Sequence, residues 1–439
     1  MKLLNWILMM VGVALMSCYI FPFILAAFPI ANSKMILAAI GVILFAANIV
    51  NNRGESNVDR SIFQISLWAL AVSFVAWLAT VLNNTHDYTF ATYIVSMWVW
   101  LGGAYTVVRY IRSIHGRISI ELVANYLIAV CVIQCILALI FDSNMTALQW
   151  RLRTFTGEAF MGATDEDRLS GIGCALDVAG LRFSAILIMA AWMVVKMAAR
   201  SKMIISLVYL VCMLFIVIIG NIISRTTAVG AGIGFAYILW ALLFGERSKG
   251  KSRLTGIFAV LLVIAISLST VLYNTNEKFH NHLRFGFEGF FSLVEKGEWR
   301  TNSNDILQNM VVWPDNLKTW IIGDGYIENP LDDRLPSYDP YYIGPAFHGY
   351  YMQTDIGYCR FIFYFGLIGL TVFCLYFIKI SDTLAKRFPN YKWMFYLILA
   401  MNFIGWCKVS SDLFMVFAPF LCISAKDEEY ATEVVAERE

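Results

Sequence analysis

Arginines at the mouths of long apolar runs are the residues of this sequence best suited to chemistry. Arg168 stands in Arg168-Leu-Ser-Gly-Ile-Gly173, and Arg182 in Asp177-Val-Ala-Gly-Leu-Arg182-Phe, which opens an apolar run. Arg225 sits in Asn221-Ile-Ile-Ser-Arg225-Thr-Thr, a short polar stretch between two apolar runs, beside Ser224, Thr226 and Thr227. Arg284 and Arg300 border the aromatic stretch Leu283-Arg-Phe-Gly-Phe-Glu-Gly-Phe-Phe-Ser-Leu293. Arg360 closes His348-Gly-Tyr-Tyr-Met-Gln-Thr354-Asp355-Ile-Gly-Tyr358-Cys-Arg360, which also carries a carboxylate and phenols. A guanidinium stays charged at any relevant pH and binds phosphate oxygens through paired hydrogen bonds. Hydroxyls at a helix start add donors where the helix dipole already favours an anion. These residues therefore suit an anion, such as a lipid phosphate. Asp355 and His348 are the candidates for a base.

Each of these residues also has a plainer role open to it. Arg225 can snorkel to lipid headgroups, and Asp355 can cap the helix that follows it. Gly323-Asp-Gly325 is a turn signal first and a site second. The tract Tyr338-Asp-Pro-Tyr-Tyr-Ile-Gly-Pro is a packed aromatic loop before it is a platform for a sugar ring. His348 has no second ligand at metal spacing, so no metal site is expected.

The 439-residue chain is 59% hydrophobic and only 15% charged, against roughly 25% charged in soluble domains. A soluble fold of this length needs far more polar surface, so the solvent for most of it is lipid. The formal net charge of +2 argues against a nucleic-acid partner. Nine cysteines form no Cys-x-x-Cys pair, and most fall inside apolar runs. A span needs about 20 apolar residues. On that basis about twelve helices are expected, near 4–28, 34–50, 61–82, 89–109, 119–141, 178–198, 203–220, 226–245, 254–273, 357–378, 392–407 and 411–425. The first run holds Pro22 and Pro29, and the last two share a polar break at Lys408–Asp412.

The basic residues orient this bundle. With the N-terminus in the cytoplasm, the inner loops hold Arg53 and Arg60; Arg109, Arg112 and Arg117; Lys196, Arg200 and Lys202; Arg247, Lys249, Lys251 and Arg253; and Lys379, Lys386, Arg387 and Lys392. The short outer loops hold only Lys34, Arg225 and Lys408. Inner loops are richer in Lys and Arg, as the positive-inside rule requires, so both termini are expected in the cytoplasm. The expected fold class is an all-α integral membrane protein. Residues 1–273 form its first nine helices, with an outer loop at 142–176, and 274–356 form a large extracytoplasmic loop. Residues 357–425 form the last three helices, and 426–439 a solvated acidic tail. In the large loop, Leu283–Leu293 and Asp305–Trp320 are amphipathic and aromatic, which suits a membrane interface.

Three patches together resemble the O-antigen polymerase and ligase superfamily of bacterial envelopes. They are the Arg168–Arg182 region, the Ser224-Arg225-Thr226 turn, and Gly323-Asp-Gly325 followed by Thr354-Asp355-Ile-Gly-Tyr358. The resemblance implies a GT-C-like bundle in the bacterial cytoplasmic membrane. It also implies a glycosyltransferase without metal or cofactor, acting on undecaprenyl-pyrophosphate-linked oligosaccharide outside that membrane, and a chain-length-regulating partner. His348 is followed by Gly349, which departs from the His-Asn type of signature in the ligase branch. The Thr354–Tyr358 segment is similar to polymerases, so a polymerase of a lipopolysaccharide or capsule is favoured. Arg225 with Arg182 or Arg360 would then hold the pyrophosphate, and Arg168, just before the helix that carries Arg182, is a further candidate to bind substrate. Arg284 or Arg300 would position donor or acceptor, and Asp355 or His348 would assist the attacking hydroxyl. The alternative inside the family is a ligase. Outside it, a flippase for lipid-linked saccharide calls for midplane charges or paired half-helices, and a receptor or structural protein predicts no glycan phenotype.

Overall fold

A computed structural model of the chain describes residues 2–51, 60–156, 168–244, 249–329 and 350–436. The chain opens with α1 (Lys2–Ile20), a hairpin of β1 (Ile24–Leu25) and β2 (Phe28–Asn32), and α2 (Ser33–Asn51). Helices α3 (Arg60–Leu82), α4 (Tyr93–His115), α5 (Ile120–Ser143) and α6 (Met145–Thr154) follow, then β3 (Phe155–Thr156). Next come α7 (Leu176–Ala199), α8 (Met203–Ile223), α9 (Thr227–Leu243) and α10 (Lys249–Thr275). Four short helices follow: α11 (Glu277–Gly286), α12 (Glu288–Lys296), α13 (Asn302–Asn309) and α14 (Leu317–Ile322). The last are α15 (Gly357–Arg387), α16 (Lys392–Gly405), α17 (Phe414–Leu421) and α18 (Ala425–Ala436).

Lipid offers no partner to a backbone N–H or C=O, so apolar segments satisfy these groups internally, as helices. Eight of the described helices are long and apolar enough to cross a membrane: α1 to α5, α7, α8 and α15. This is a multi-pass, all-α membrane protein. Every segment expected to span contains helix, but not all are full spans. The eight residues of α17 reach only about 12 Å, against a hydrocarbon core of roughly 30 Å. All eight are buried, so protein rather than lipid surrounds them. The first expected span also ends early. Pro22 disfavours helix at Phe21 and cannot donate a helical hydrogen bond, so the chain turns into the β hairpin instead. The hairpin's β1 then pairs antiparallel with β3 as well.

Two compact units make up the chain. Unit 1 comprises Met1–Lys34, Val107–Trp299 and Lys426–Glu439. Its centre is α7, buried along nearly its whole length and packed mainly on α8 and α9. Small residues let the backbones meet. A Cβ at Gly230 of α9 would lie 2.2 Å from Ser184 Cα of α7. Ser184 Oγ donates to Thr226 O at 2.8 Å, tying α7 to the α8–α9 turn. The acidic tail is largely exposed, as the sequence suggests, but one side of it is held in place. Helix α18 docks because Asp427 pairs with Arg112, while Glu428 accepts the Ile120 N–H at 2.8 Å. The carboxylate satisfies one of the first-turn amides of α5, and Ser119 Oγ accepts another, that of Leu122.

Unit 2 comprises Met35–Thr106 and Arg300–Ala425. It is built on α15, which packs on α3, α14 and α16. Phe90 meets Phe361, Tyr364, Phe365 and Phe373 edge to face, with centroids 5.2–5.8 Å apart. Helix α15 is broken at Gly366 (φ 65, ψ −171). The Asp324 and Gly325 amides donate to Phe363 O and Tyr364 O, at 2.6 and 3.0 Å. The Gly323-Asp-Gly325 turn thus caps a broken helix. The second expected amphipathic stretch is likewise not one helix, since Pro314 lies in the gap between α13 and α14.

Candidate functional site: an arginine cluster in unit 1

The cluster rests on a pinned segment of backbone. Arg151 of α6 is 1% exposed, and its Nη1 donates to Ser170 O (2.6 Å), Ser170 Oγ (2.8 Å) and Gly171 O (3.3 Å). Its guanidinium also lies 5.1 Å from the Phe141 ring centroid. Gln134 of α5 grips the next residue twice: its Oε1 accepts from Ile172 N (2.9 Å), and its Nε2 donates to Ile172 O (3.0 Å). A buried charge is costly unless hydrogen-bonded, and here main-chain carbonyls supply the partners. Gly173 (φ +63) then turns the chain against Phe21 O, where a Cβ would stand at 2.5 Å. Replacing Arg151 with methionine leaves those carbonyls without their donor and is expected to destabilise the protein by about 1–3 kcal/mol. A thermal midpoint in detergent equal to wild type would show that the clamp carries no weight.

On this base, the α8–α9 turn docks onto the first turn of α7. Asp177 Oδ1 accepts from Ser224 Oγ at 3.0 Å and Thr226 Oγ1 at 2.8 Å. A Cβ at Gly180 would fall 2.4 Å from Ser224 Oγ, so glycine is needed one turn further on. Between the two hydroxyls, Arg225 reaches α11 and α12. Its Nε donates to Phe285 O at 3.0 Å, Nη1 meets Glu288 Oε2 at 2.7 Å, and its plane lies 4.2 Å from the Phe285 ring centroid. Arg168 stands 5.0 Å from the same centroid. Two guanidinium groups therefore share one aromatic ring beside a hydroxyl-lined helix mouth. Guanidinium–ring contacts are favourable in themselves, and here they bring two like charges to one place.

The other expected arginines have other partners. Arg182 is buried with its guanidinium 5.7 Å from the Phe21 ring centroid, so it is Arg168 that shares Phe285 with Arg225. Arg284 is half-buried and binds both Glu295 oxygens at 2.9 Å. The hydrogen bond to Tyr273, then Glu295, hold its pKa above the ordinary value. Arg300 is exposed and lies 3.4 Å from Asp305 in unit 2.

In unit 2, Arg360 is buried, with Nη1 at 3.7 Å from Asp355 and Nη2 donating to Ile327 O at 3.3 Å. The Tyr350 ring centroid is 3.8 Å from its guanidinium carbon. Asp355 does not cap α15, since Ile356 is the capping residue and Thr354 Oγ1 accepts its amide. Asp324 binds Thr319 Oγ1 at 2.7 Å and Lys318 Nζ at 2.8 Å, with the Tyr351 hydroxyl at 3.4 Å. Burial, followed by the Asp324 charge, pushes the Tyr351 pKa up to about 12, so this phenol is a donor rather than a base. His348 and the Tyr338–Pro345 tract lie outside the described residues.

Sequence reasoning missed Arg151, Gln134 and Glu288. Their signal was weak: an arginine inside an amphipathic helix, a glutamine in an apolar run, a glutamate among phenylalanines. Among the described residues no cluster of three or more His, Cys, Asp or Glu could hold a metal ion. Comparison with known proteins adds no identity to this geometry: no family model, no curated protein and no solved structure matches the chain.

Proposed function

We propose that this chain is a membrane glycosyltransferase that polymerises polyprenyl-pyrophosphate-linked oligosaccharide units of a bacterial surface polysaccharide. The observation that supports this reading best is the pairing of Arg168 and Arg225 on Phe285, beside the Asp177–Ser224–Thr226 polar cluster at the mouth of three apolar helices. A lipid-linked pyrophosphate presents its charge at that kind of boundary. An acceptor hydroxyl attacks the anomeric carbon, the bond to the pyrophosphate oxygen breaks, and the arginines stabilise the charge left on the departing polyprenyl pyrophosphate. For the base, the sequence offers Asp355 and His348. The topology proposed with this function has both termini in the cytoplasm and residues 274–356 outside. The membrane proposed is the bacterial cytoplasmic one.

The break in α15 raises a transporter as the second reading, because interrupted helices line transporter sites. Here the freed carbonyls of Phe363 and Tyr364 are taken up by the Asp324 and Gly325 amides. The break is thus accounted for by the turn that caps it, without a carried ion. The deciding experiment supplies purified protein in nanodiscs with undecaprenyl-pyrophosphate oligosaccharide and separates the products by size. A ladder of lengthening glycans is expected. Transfer of a single glycan to a lipid-A-type acceptor would indicate ligase chemistry, and movement of the donor across a liposome bilayer without transfer would indicate a flippase.

A further inference from the structure

Helix α12 presents different chemistry on its two sides. At 100° per residue, positions 290, 293 and 294 fall on the face opposite position 288. That face is exposed and apolar: Phe290, Leu293 and Val294, the last 86% exposed. Trp299 extends it, packed across Phe290 with centroids 4.7 Å apart. The helix follows closely on α10, whose Val263, Ile264 and Val271 are also exposed. An exposed apolar face of this kind suits the membrane boundary. On the other side, Glu288 grips Arg225 at 2.7 Å, and the pair is only partly buried, with 26% and 15% of the side chains exposed. Asn221 Nδ2 donates to Gly286 O, which anchors the residue before the α11–α12 bend. Phe287 (φ −113, ψ 23) then separates the two helices.

We propose that the Glu288 carboxylate occupies the seat of a lipid-borne phosphate on Arg225, and that α12 is a latch at the lipid boundary which yields when that phosphate arrives. The inference rests on the reading of Arg225 as a pyrophosphate ligand. A carboxylate and a phosphate oxygen are interchangeable partners for a guanidinium, and a pyrophosphate brings more charge than one carboxylate. Lipid-borne substrate is favoured over a free anion because the same short helix that holds Arg225 carries the apolar face.

The test measures binding of two probes to protein in nanodiscs: labelled inorganic pyrophosphate, and undecaprenyl pyrophosphate held in the bilayer. Removing the competing charge in Glu288→Gln is expected to tighten binding of the lipid-borne probe roughly tenfold, whereas Arg225→Gln loses it. A gain confined to inorganic pyrophosphate would overturn the lipid assignment, and binding by Glu288→Gln no tighter than wild type would overturn the latch. Hydrogen exchange on the unaltered protein gives an independent check. Amides of α12 should exchange faster once undecaprenyl pyrophosphate is added, and unchanged exchange counts against the proposal. Failure here is separable from failure of the proposed function. A protein that builds a ladder without these effects keeps the polymerase reading and loses the latch, and the reverse pattern does the opposite.

Discussion

Arg225→Ala is expected to cut the rate of glycan transfer by about 100- to 1,000-fold while leaving protein in the membrane near its normal amount. The first part follows from position. Arg225 contributes a fixed positive charge at a hydroxyl-lined mouth, where it shares Phe285 with Arg168. Charge that grows on a departing pyrophosphate is stabilised by groups already oriented toward it, and one such donor typically carries an effect of this size. The second part follows from what the side chain does for the fold. Its pair with Glu288 is more buried than exposed, with 15% and 26% of the side chains accessible, so losing it costs some stability, but it is not what docks the turn. Ser224 and Thr226 keep the α8–α9 turn docked on Asp177 without it. Arg225→Lys retains the charge but loses the planar fork and the bond to Phe285 O, so an intermediate rate is expected. The measurement is transfer per membrane-embedded molecule, with protein quantified in the same membranes. An alanine variant at normal abundance that still makes full-length polymer would sink the assignment.

The parts of the molecule legible in sequence were those that repeat one physical signal many times. Long apolar runs mark helices because lipid leaves the backbone no other choice, and the helices lie where those runs are. Where a single residue decides, legibility fell. Pro22 in an apolar run reads as a kink, but whether the chain resumes a helix depends on β3, which is more than a hundred residues away and pairs with β1. The acidic tail reads only as solvated because nothing local shows Arg112 and the start of α5 waiting for it. The arginines were visible because charge near lipid is costly, yet their partners were not. The sequence offered Arg182 or Arg360 as the companion of Arg225, whereas the pinned Ser170–Gly173 segment brings Arg168 to Phe285. The Gly-Asp-Gly turn was legible as a turn, and its purpose was not. Its amides cap a helix break that composition cannot reveal, because Gly366 is one glycine in an otherwise ordinary apolar run.

That break should be the position least tolerant of a methyl group. Gly366 holds φ 65 with ψ −171, a region essentially reserved for glycine and costing other residues of order 1–3 kcal/mol. A Cβ there would also lie 2.2 Å from Ile321 O and 2.5 Å from Ile322 N, backbone atoms that cannot swing aside as a side chain can. Alanine favours continuing the helix through the break. If α15 straightened, the carbonyls of Phe363 and Tyr364 would return to the helix, and the Asp324 and Gly325 amides would lose their acceptors. Each buried amide left unpaired costs about 1–3 kcal/mol. Either route is unfavourable, so Gly366→Ala should lose more than about 3 kcal/mol of stability. Gly232→Ala provides the comparison. It lies in α9, where an added methyl would meet nothing within 4 Å, and alanine there should be neutral or stabilising by up to about 1 kcal/mol. Thermal midpoints and monodisperse yield in detergent distinguish the two. Gly366→Ala melting with wild type would mean that α14 and the turn can move away from α15, and that the broken helix is not what holds Asp324 in place.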